Sequence, residues 1–272
     1  MKKSLERIYR HENDTFGFPQ TYKGIDFYPI RIKDNKMRML FSRFMSIPKN
    51  YIPDKTILKM SHLKFLIYVV QKMSDDFGLQ ENFKEDLIKL LSYVTKKNVS
   101  IDHELSDDGN ANIFDKIKIS ILIDDIKFSE FEFDNIREII LEQNGSSIEY
   151  VESYIPDLEK KLGSINREDP MDYNDEIFSF RALTGMKLGD IGDLTLFQFK
   201  HIFEREILLK EYELFKPLEI SGQIKSKNGK QLFKHYLSHI SKKGRYDSIL
   251  TSEKEFLDNS GLPNPNRNGE II

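Results

Sequence analysis

Cysteine is absent from this chain, which excludes disulfide frameworks, thiolate nucleophiles and thiolate-ligated zinc. Tryptophan is absent as well, so bulky core material must come from 20 Phe and 12 Tyr. Long apolar runs are missing. The most apolar helical stretch, LKFLIYVV at Leu63 to Val70, falls far short of the roughly 20 residues that cross a bilayer. No apolar segment follows the basic start MKKSLERIYRHEND, which argues against a secretory signal. A soluble intracellular protein with no membrane span is expected.

Reactive signatures are also lacking. GMKLGDIG carries three glycines, at 185, 189 and 192, but neither a GxxxxGK phosphate loop nor GxGxxG occurs, and no GxSxG accompanies the scattered histidines. His235 and His239 stand at i and i+4, close enough to share a metal, yet no carboxylate or thiolate completes a shell of three or four ligands. Asp107 to Gly109 imitates a calcium loop only in outline, because the twelfth position from Asp107 is Lys118 rather than Glu. Neither a cofactor nor a metal is expected, and no catalytic constellation is read from the residues.

What is present is enough to fold. Apolar residues make up 39% of 272 and charged residues 31%, well above the hydrophobe-poor composition of disordered chains. The length allows one large domain or two smaller ones. Abundant Lys, Ile, Asn and Asp look like a coding bias rather than a functional signal.

Residues 1–24 mix charge, Gly17, Pro19 and Gly24 with isolated aromatics and are expected to form an irregular arm. IDFYPIRIK at 25–33 is strand-like, with Pro29 confining it to an edge or a start, and MRMLFSRFMSI at 37–47 turns helical until Pro48. Asp54 is a suitable cap for a helix over 57–70 that is apolar nearly all round. After a break at Ser74 to Gly78, Phe83, Leu87, Ile88, Leu90, Leu91 and Val94 predict an amphipathic helix ending in Lys96 and Lys97.

The period then changes to two. Val99, Ile101, His103 and Leu105 alternate, DDGN at 107–110 makes a turn, and Ile117, Ile119, Ile121 and Ile123 share a face, as in an antiparallel β-meander over 99–133. A parity slip at Ser129-Glu130 suggests a bulge. Asp134 is read as the cap of a helix that Asn144-Gly145 stops, and a soft domain boundary is placed there. The stretch 146–171 reads as a linker with one short helix after Pro156.

The C-terminal part, 172–250, is expected to be helical. Asp169-Pro170 is a cap and first-turn pair for the helix carrying Ile177, Phe178, Ala182 and Leu183. Thr195 with Gln198 fits a capping box, opening a long helix with Leu196, Phe199, Phe203 and Ile207 at spacings of three and four. Pro217 ends or kinks that helix. A further amphipathic helix is read over 231–240, and 251–272 as an extended tail. The fold class is thus α+β and predominantly helical: a helical N-terminal part with a β-meander over 25–145, then a helical C-terminal part.

Ala182 to Arg205 has the outline of a helix-turn-helix, but Leu196, Phe199 and Phe203 suit a core better than base edges. The strongest charge feature lies beyond it. No acid occurs between Ile220 and Tyr246, whereas Lys225, Lys227, Lys230, Lys234, Lys242, Lys243 and Arg245 do. This segment of +7 in a chain of net charge −3 leaves the remainder at −10. It could meet an acidic partner or phosphates through a salt-sensitive attraction, or be the solvated face of a terminal helix. The overall acidity argues against a general nucleic-acid binder.

Several phrases together resemble proteins encoded in the tail and baseplate gene clusters of tailed phages, of the tail-assembly chaperone or baseplate-hub-assembly kind. They are FYPIRIKD at 27–34, MSHLKFLIYVV at 60–70, FDNIREIILEQN at 133–144, and LEISGQIKSK with HYLSHISKKGRYDSIL after residue 217. The resemblance implies a non-enzymatic protein that helps build a tail or stays in the particle, acting in the host cytoplasm or in the virion. Its partners would be other tail or baseplate proteins and further copies of itself, with the cationic residues 225–245 as the partner-binding segment. The alternative is a nucleic-acid-binding regulatory protein using that same segment.

Overall fold

The structure is a computed structural model that describes residues 12–52, 55–67, 83–105, 117–159, 172–221 and 235–237. It bears out a predominantly helical α+β fold with two small antiparallel sheets. The first sheet begins within the expected irregular arm. Residues 12–16 make a helical turn, and β1 (Gln20–Tyr22) pairs with β2 (Ile25–Phe27). Both turn residues have positive φ, 50° at Lys23 and 78° at Gly24, the backbone that a two-residue hairpin needs. Asp14 and Gln20 are buried and bonded to each other at 2.6 Å. The described half of the arm is therefore packed structure.

Helix α1 (Asn35–Phe44) buries Leu40, Phe41 and Phe44. The apolar run after it is interrupted, contrary to the single helix expected over 57–70. α2 (Lys55–Lys59) stops, and α3 (His62–Phe65) restarts with Ser61 in extended backbone, its hydroxyl accepting from the Lys64 N–H. A serine that satisfies backbone donors outside helical geometry favours such a break. Asp54, Val70 and the Ser74 to Gly78 break lie outside the described residues. α4 (Phe83–Thr95) follows its predicted stripe, burying Phe83, Leu87, Leu90, Leu91 and Val94.

The meander forms as β3 (Val99–Leu105), β4 (Ile117–Ile123) and β5 (Ile126–Ser129), with β4 central and Ile121 paired to both Ile101 and Phe128. Ile119, Ile121 and Ile123 turn to the core as their parity requires. The DDGN turn lies outside the described residues. The parity slip at Ser129-Glu130 marks a helix start, not a bulge. Ser129 and Glu132 form a complete capping box for α5 (Glu130–Gln143), which begins before the expected Asp134 cap. α5 ends as predicted, with Gly145 at φ 72°. The Ser146 N–H bonds to the Leu141 carbonyl and the Gly145 N–H to that of Glu142, a Schellman closure.

The stretch expected to be linker is structured as far as residue 159. α6 (Ile148–Glu152) is capped by Ser147 and buries Val151 against the first core, and residues 156–159 are helical after Ile155. Asp169-Pro170 lies outside the described residues. The observed cap of α7 (Tyr173–Thr184) is Asp172, and Gly185 closes it at φ 71°. α8 (Leu188–Asp193) contains Gly189 and Gly192. α9 (Leu196–Ile220) opens with the predicted Thr195/Gln198 capping box and runs through Pro217 to Ile220. Pro217 does not end it. Among the described residues, no helix is long and apolar enough to cross a membrane.

Two cores result. The large one joins β2, α1 to α6 and the meander, with Phe27, Phe44, Phe65, Phe128 and Phe133 fully buried. The small one consists of Ile32, Phe180, Ile191 and Phe199. Residues 27–33 are the seam between them. The Phe27 carbonyl accepts from Gln143, the Ile30 N–H donates to Asn144, and the Ile30 carbonyl accepts from the Leu196 N–H. Ile32 donates to the Leu194 carbonyl and accepts from the Tyr173 hydroxyl. Pro29 interrupts no ladder here, because β2 ends at Phe27.

Candidate functional site

Among the described residues, two places concentrate polar or solvent-facing apolar side chains, one inside the large core and one along α9. The inner one forms where α5 carries a cation into its apolar stripe. Arg137 lies between Phe133 and Ile140, with its side chain 3% exposed. Its guanidinium donates to the Met45 and Ile47 carbonyls at 2.9 and 3.2 Å and to the Glu152 carboxylate at 2.8 Å. Glu152 also accepts from the Lys49 N–H. Thus α5, α6 and the connection after α1 are fastened by one ion pair and its hydrogen bonds.

His62 lies beside this node. Its ring is stacked on Phe133 with Nε2 2.8 Å from the Phe44 carbonyl, so Nε2 carries the proton and donates. Burial pushes its pKa well below the ordinary histidine value, with the Arg137 charge acting in the same direction. Asp134 accepts from the His62 backbone N–H at 2.9 Å, and burial raises its carboxyl pKa. These are perturbed groups of the sort that catalytic sites contain, yet His62 is completely buried. A general base must reach a substrate proton, and here the polar groups reach only one another and the backbone. The node is a fastener.

The outer place is α9. Its capped end is well held: Phe180 and Phe199 stack at 4.3 Å, Phe203 leans on both, and Lys200 reaches the Gly145 carbonyl. Gln198 donates to the Thr15 carbonyl, and a Cβ on Gly17 would lie 3.0 Å from Thr195. That close approach, with φ 71°, requires glycine at 17. Phe199 is nevertheless the one fully buried side chain of a 25-residue helix, about 37 Å long.

Beyond Phe203 the helix leaves the small core. Ile207 is 40% exposed, Leu214 63% and Ile220 76%. One flank is covered by the returning chain. Tyr212 packs edge-on against His235 and Tyr236, and Arg205 donates to the Tyr236 carbonyl. A shallow hollow of about 350 Å³ lined by His201, Ile202, Arg205 and Glu206 lies on α9 itself. The opposite flank, with Ile207, Lys210, Glu211 and Leu214, is exposed.

Of the sequence-predicted site residues, Lys225, Lys227, Lys230, Lys234, Lys242, Lys243 and Arg245 lie outside the described residues. His239 does too, while His235 stacks on Tyr236 and accepts from the Leu237 N–H. Among the described residues no group of three His, Asp or Glu is placed to hold a metal ion. The helix-turn-helix outline resolves into α7, α8 and α9 around Phe180 and Phe199, so Phe199 faces a core and not outward. The Arg137 node was missed from sequence, although a lone Arg among Phe133, Ile136 and Ile140 was its signal. No family model matches the chain, and no curated protein or solved structure matches it either.

Proposed function

We propose that this chain is a non-enzymatic structural or assembly protein of a phage tail or baseplate, acting through protein contacts in the host cytoplasm or in the particle. The observation that carries the contact reading is α9. Its capped end is anchored in a core, while its far end presents large apolar side chains to solvent, as interaction surfaces do. The phrases at 27–34 and 133–144 and the described residues 60–67 form elements and core, and the resemblance those phrases carry is what supports a tail or baseplate as the system. Among the described residues His62 and Arg137, whose pKa values burial lowers, are sealed inside the large core, which favours a contact role over a reactive one.

Mass spectrometry of purified particles, together with copurification of tagged chain from infected cells, tests this reading. Recovery with named tail or baseplate proteins is expected. A chain recovered with none of them, in particles or in lysate, overturns it. The cationic 225–245 segment favours a second reading, nucleic-acid binding. That reading predicts a salt-dependent shift of labelled DNA or RNA that is lost when Lys227, Lys230 and Lys234 are reversed in charge.

A further inference from the structure

His62 is placed to respond to acid. Its ring is completely buried where α3 meets the end of α1 and the flank of α5, with its centroid 5.6 Å from that of Phe65 and its plane stacked on Phe133. Nε2 donates to the Phe44 carbonyl at 2.8 Å, so the neutral ring has no other donor to place. Nδ1 is buried with no hydrogen-bond partner among the described residues. A proton added there creates a buried donor with no acceptor. It also puts a second cation into a core that already holds Arg137, whose guanidinium occupies the Met45 and Ile47 carbonyls, the acceptors that follow Phe44 along the chain.

The charged groups on the surrounding elements do not offset that cation. Arg43 of α1 turns to Asp86 of α4, Lys64 of α3 pairs with Glu130 of α5 at 3.2 Å, and Glu152 of α6 is committed to Arg137 and the Lys49 N–H. Lys49 adds positive charge and donates to the Met60 carbonyl. Asp134 of α5 accepts from the His62 backbone N–H, and not from the ring. The element that carries the ring is also the one least able to hold it in place. α3 is a single turn, cut off from α2 by Ser61 and tied to α5 through Asp134 and Lys64, whereas α5 has 14 residues and a complete capping box. Local openings take place at such weakly held units.

We infer that His62 is an acid-sensitive latch: on protonation α3 lifts from the Phe44 carbonyl and from α5, uncovering Leu63, Phe65 and Leu66. All three side chains are completely buried in the closed fold, so opening presents an apolar surface that neutral pH conceals. The small core of Ile32, Phe180, Ile191 and Phe199 is apolar throughout and stays shut. Burial, with the Arg137 charge, keeps the closed ring neutral, whereas an opened, hydrated ring protonates near pH 6.5. Opening therefore takes up a proton. It is independent of pH well above 6.5 and grows below it, by about 25-fold between pH 7 and pH 5 for one such group. Asp134, whose pKa burial raises, works in the opposite sense, binding its proton more tightly in the closed fold. The latch is independent of the phage reading.

Hydrogen–deuterium exchange of the full chain at pH 7, 6 and 5, with rates corrected for the intrinsic pH dependence of amide exchange, is the test. Peptides within 60–67 are expected to lose protection by about 25-fold from pH 7 to pH 5, while peptides within 177–203 keep theirs. His62→Gln is expected to abolish the loss. The regional contrast is read in the wild type and does not depend on the variant folding. Protection of 60–67 that is independent of pH, a loss shared equally by 177–203, or a loss that persists in folded His62→Gln overturns the inference.

Discussion

The large core and α9 treat charge in opposite ways. In the large core, Arg137 enters an apolar stripe and every contact it makes is internal: two carbonyls and the Glu152 carboxylate, all from the same chain. In α9, Lys210 and Glu211 flank Ile207 and Leu214, and all four remain in solvent. The first arrangement is closed on itself and the second is open. A charge among apolar residues is buried and satisfied in the first case and solvated in the second, and only the fold tells them apart.

The comparison breaks first at Arg137. Replacing it with Met removes the cation, leaving Glu152 without its ion-pair partner and the Met45 and Ile47 carbonyls without the guanidinium donor, for which about 3–5 kcal/mol is expected. Urea unfolding followed by circular dichroism measures it, and a loss below about 1 kcal/mol would mean that the node fastens nothing. Phe180→Ala removes the centre of the small core, with an expected cost of about 3–4 kcal/mol. The damage should be regional. Limited proteolysis is expected to cut within 173–203 while α5 stays protected.

The acid response of the large core is the next largest effect. His62 is neutral in the fold with a pKa pushed well down by burial, whereas the unfolded chain protonates it near pH 6.5. The unfolded state therefore binds the additional proton. Stability is retained above that pH and lost as pH falls below it, by up to about 1.4 kcal/mol per pH unit for one group. His62→Gln, which keeps a donor for the Phe44 carbonyl, should flatten the slope between pH 6.5 and 5. An unchanged slope would place the response elsewhere. Smaller still is Ser129→Ala, which removes one member of the α5 capping box and should cost about 1 kcal/mol in the same urea titration.

Much of the fold was legible where a periodic stripe and a local cap agree. Phe83 to Val94, the Ile119, Ile121 and Ile123 face, the Gly145 stop and the Thr195 capping box all needed only neighbours in sequence. Errors arose where a short polar residue competes for the backbone. Ser61 broke a run that its apolar content alone made continuous, and Ser129 turned a strand into a helix where parity suggested a bulge. Lys23-Gly24 was passed over because a hairpin of two three-residue strands leaves almost no alternation to read. The node of Arg137, Glu152 and Lys49 joins residues 15 and 103 apart, a pairing set by the tertiary fold. In α9 the stripe of Leu196, Phe199, Phe203 and Ile207 was legible, but the exposure of Ile207 at its far end was not, because spacing alone cannot tell a buried stripe from a bare one.

The contrast between a closed region and an open one is tested most directly by hydrogen–deuterium exchange of the full chain. Peptides covering Ile207 to Leu218 are predicted to exchange much faster than those of α5. Equally slow exchange along the two helices would contradict the account.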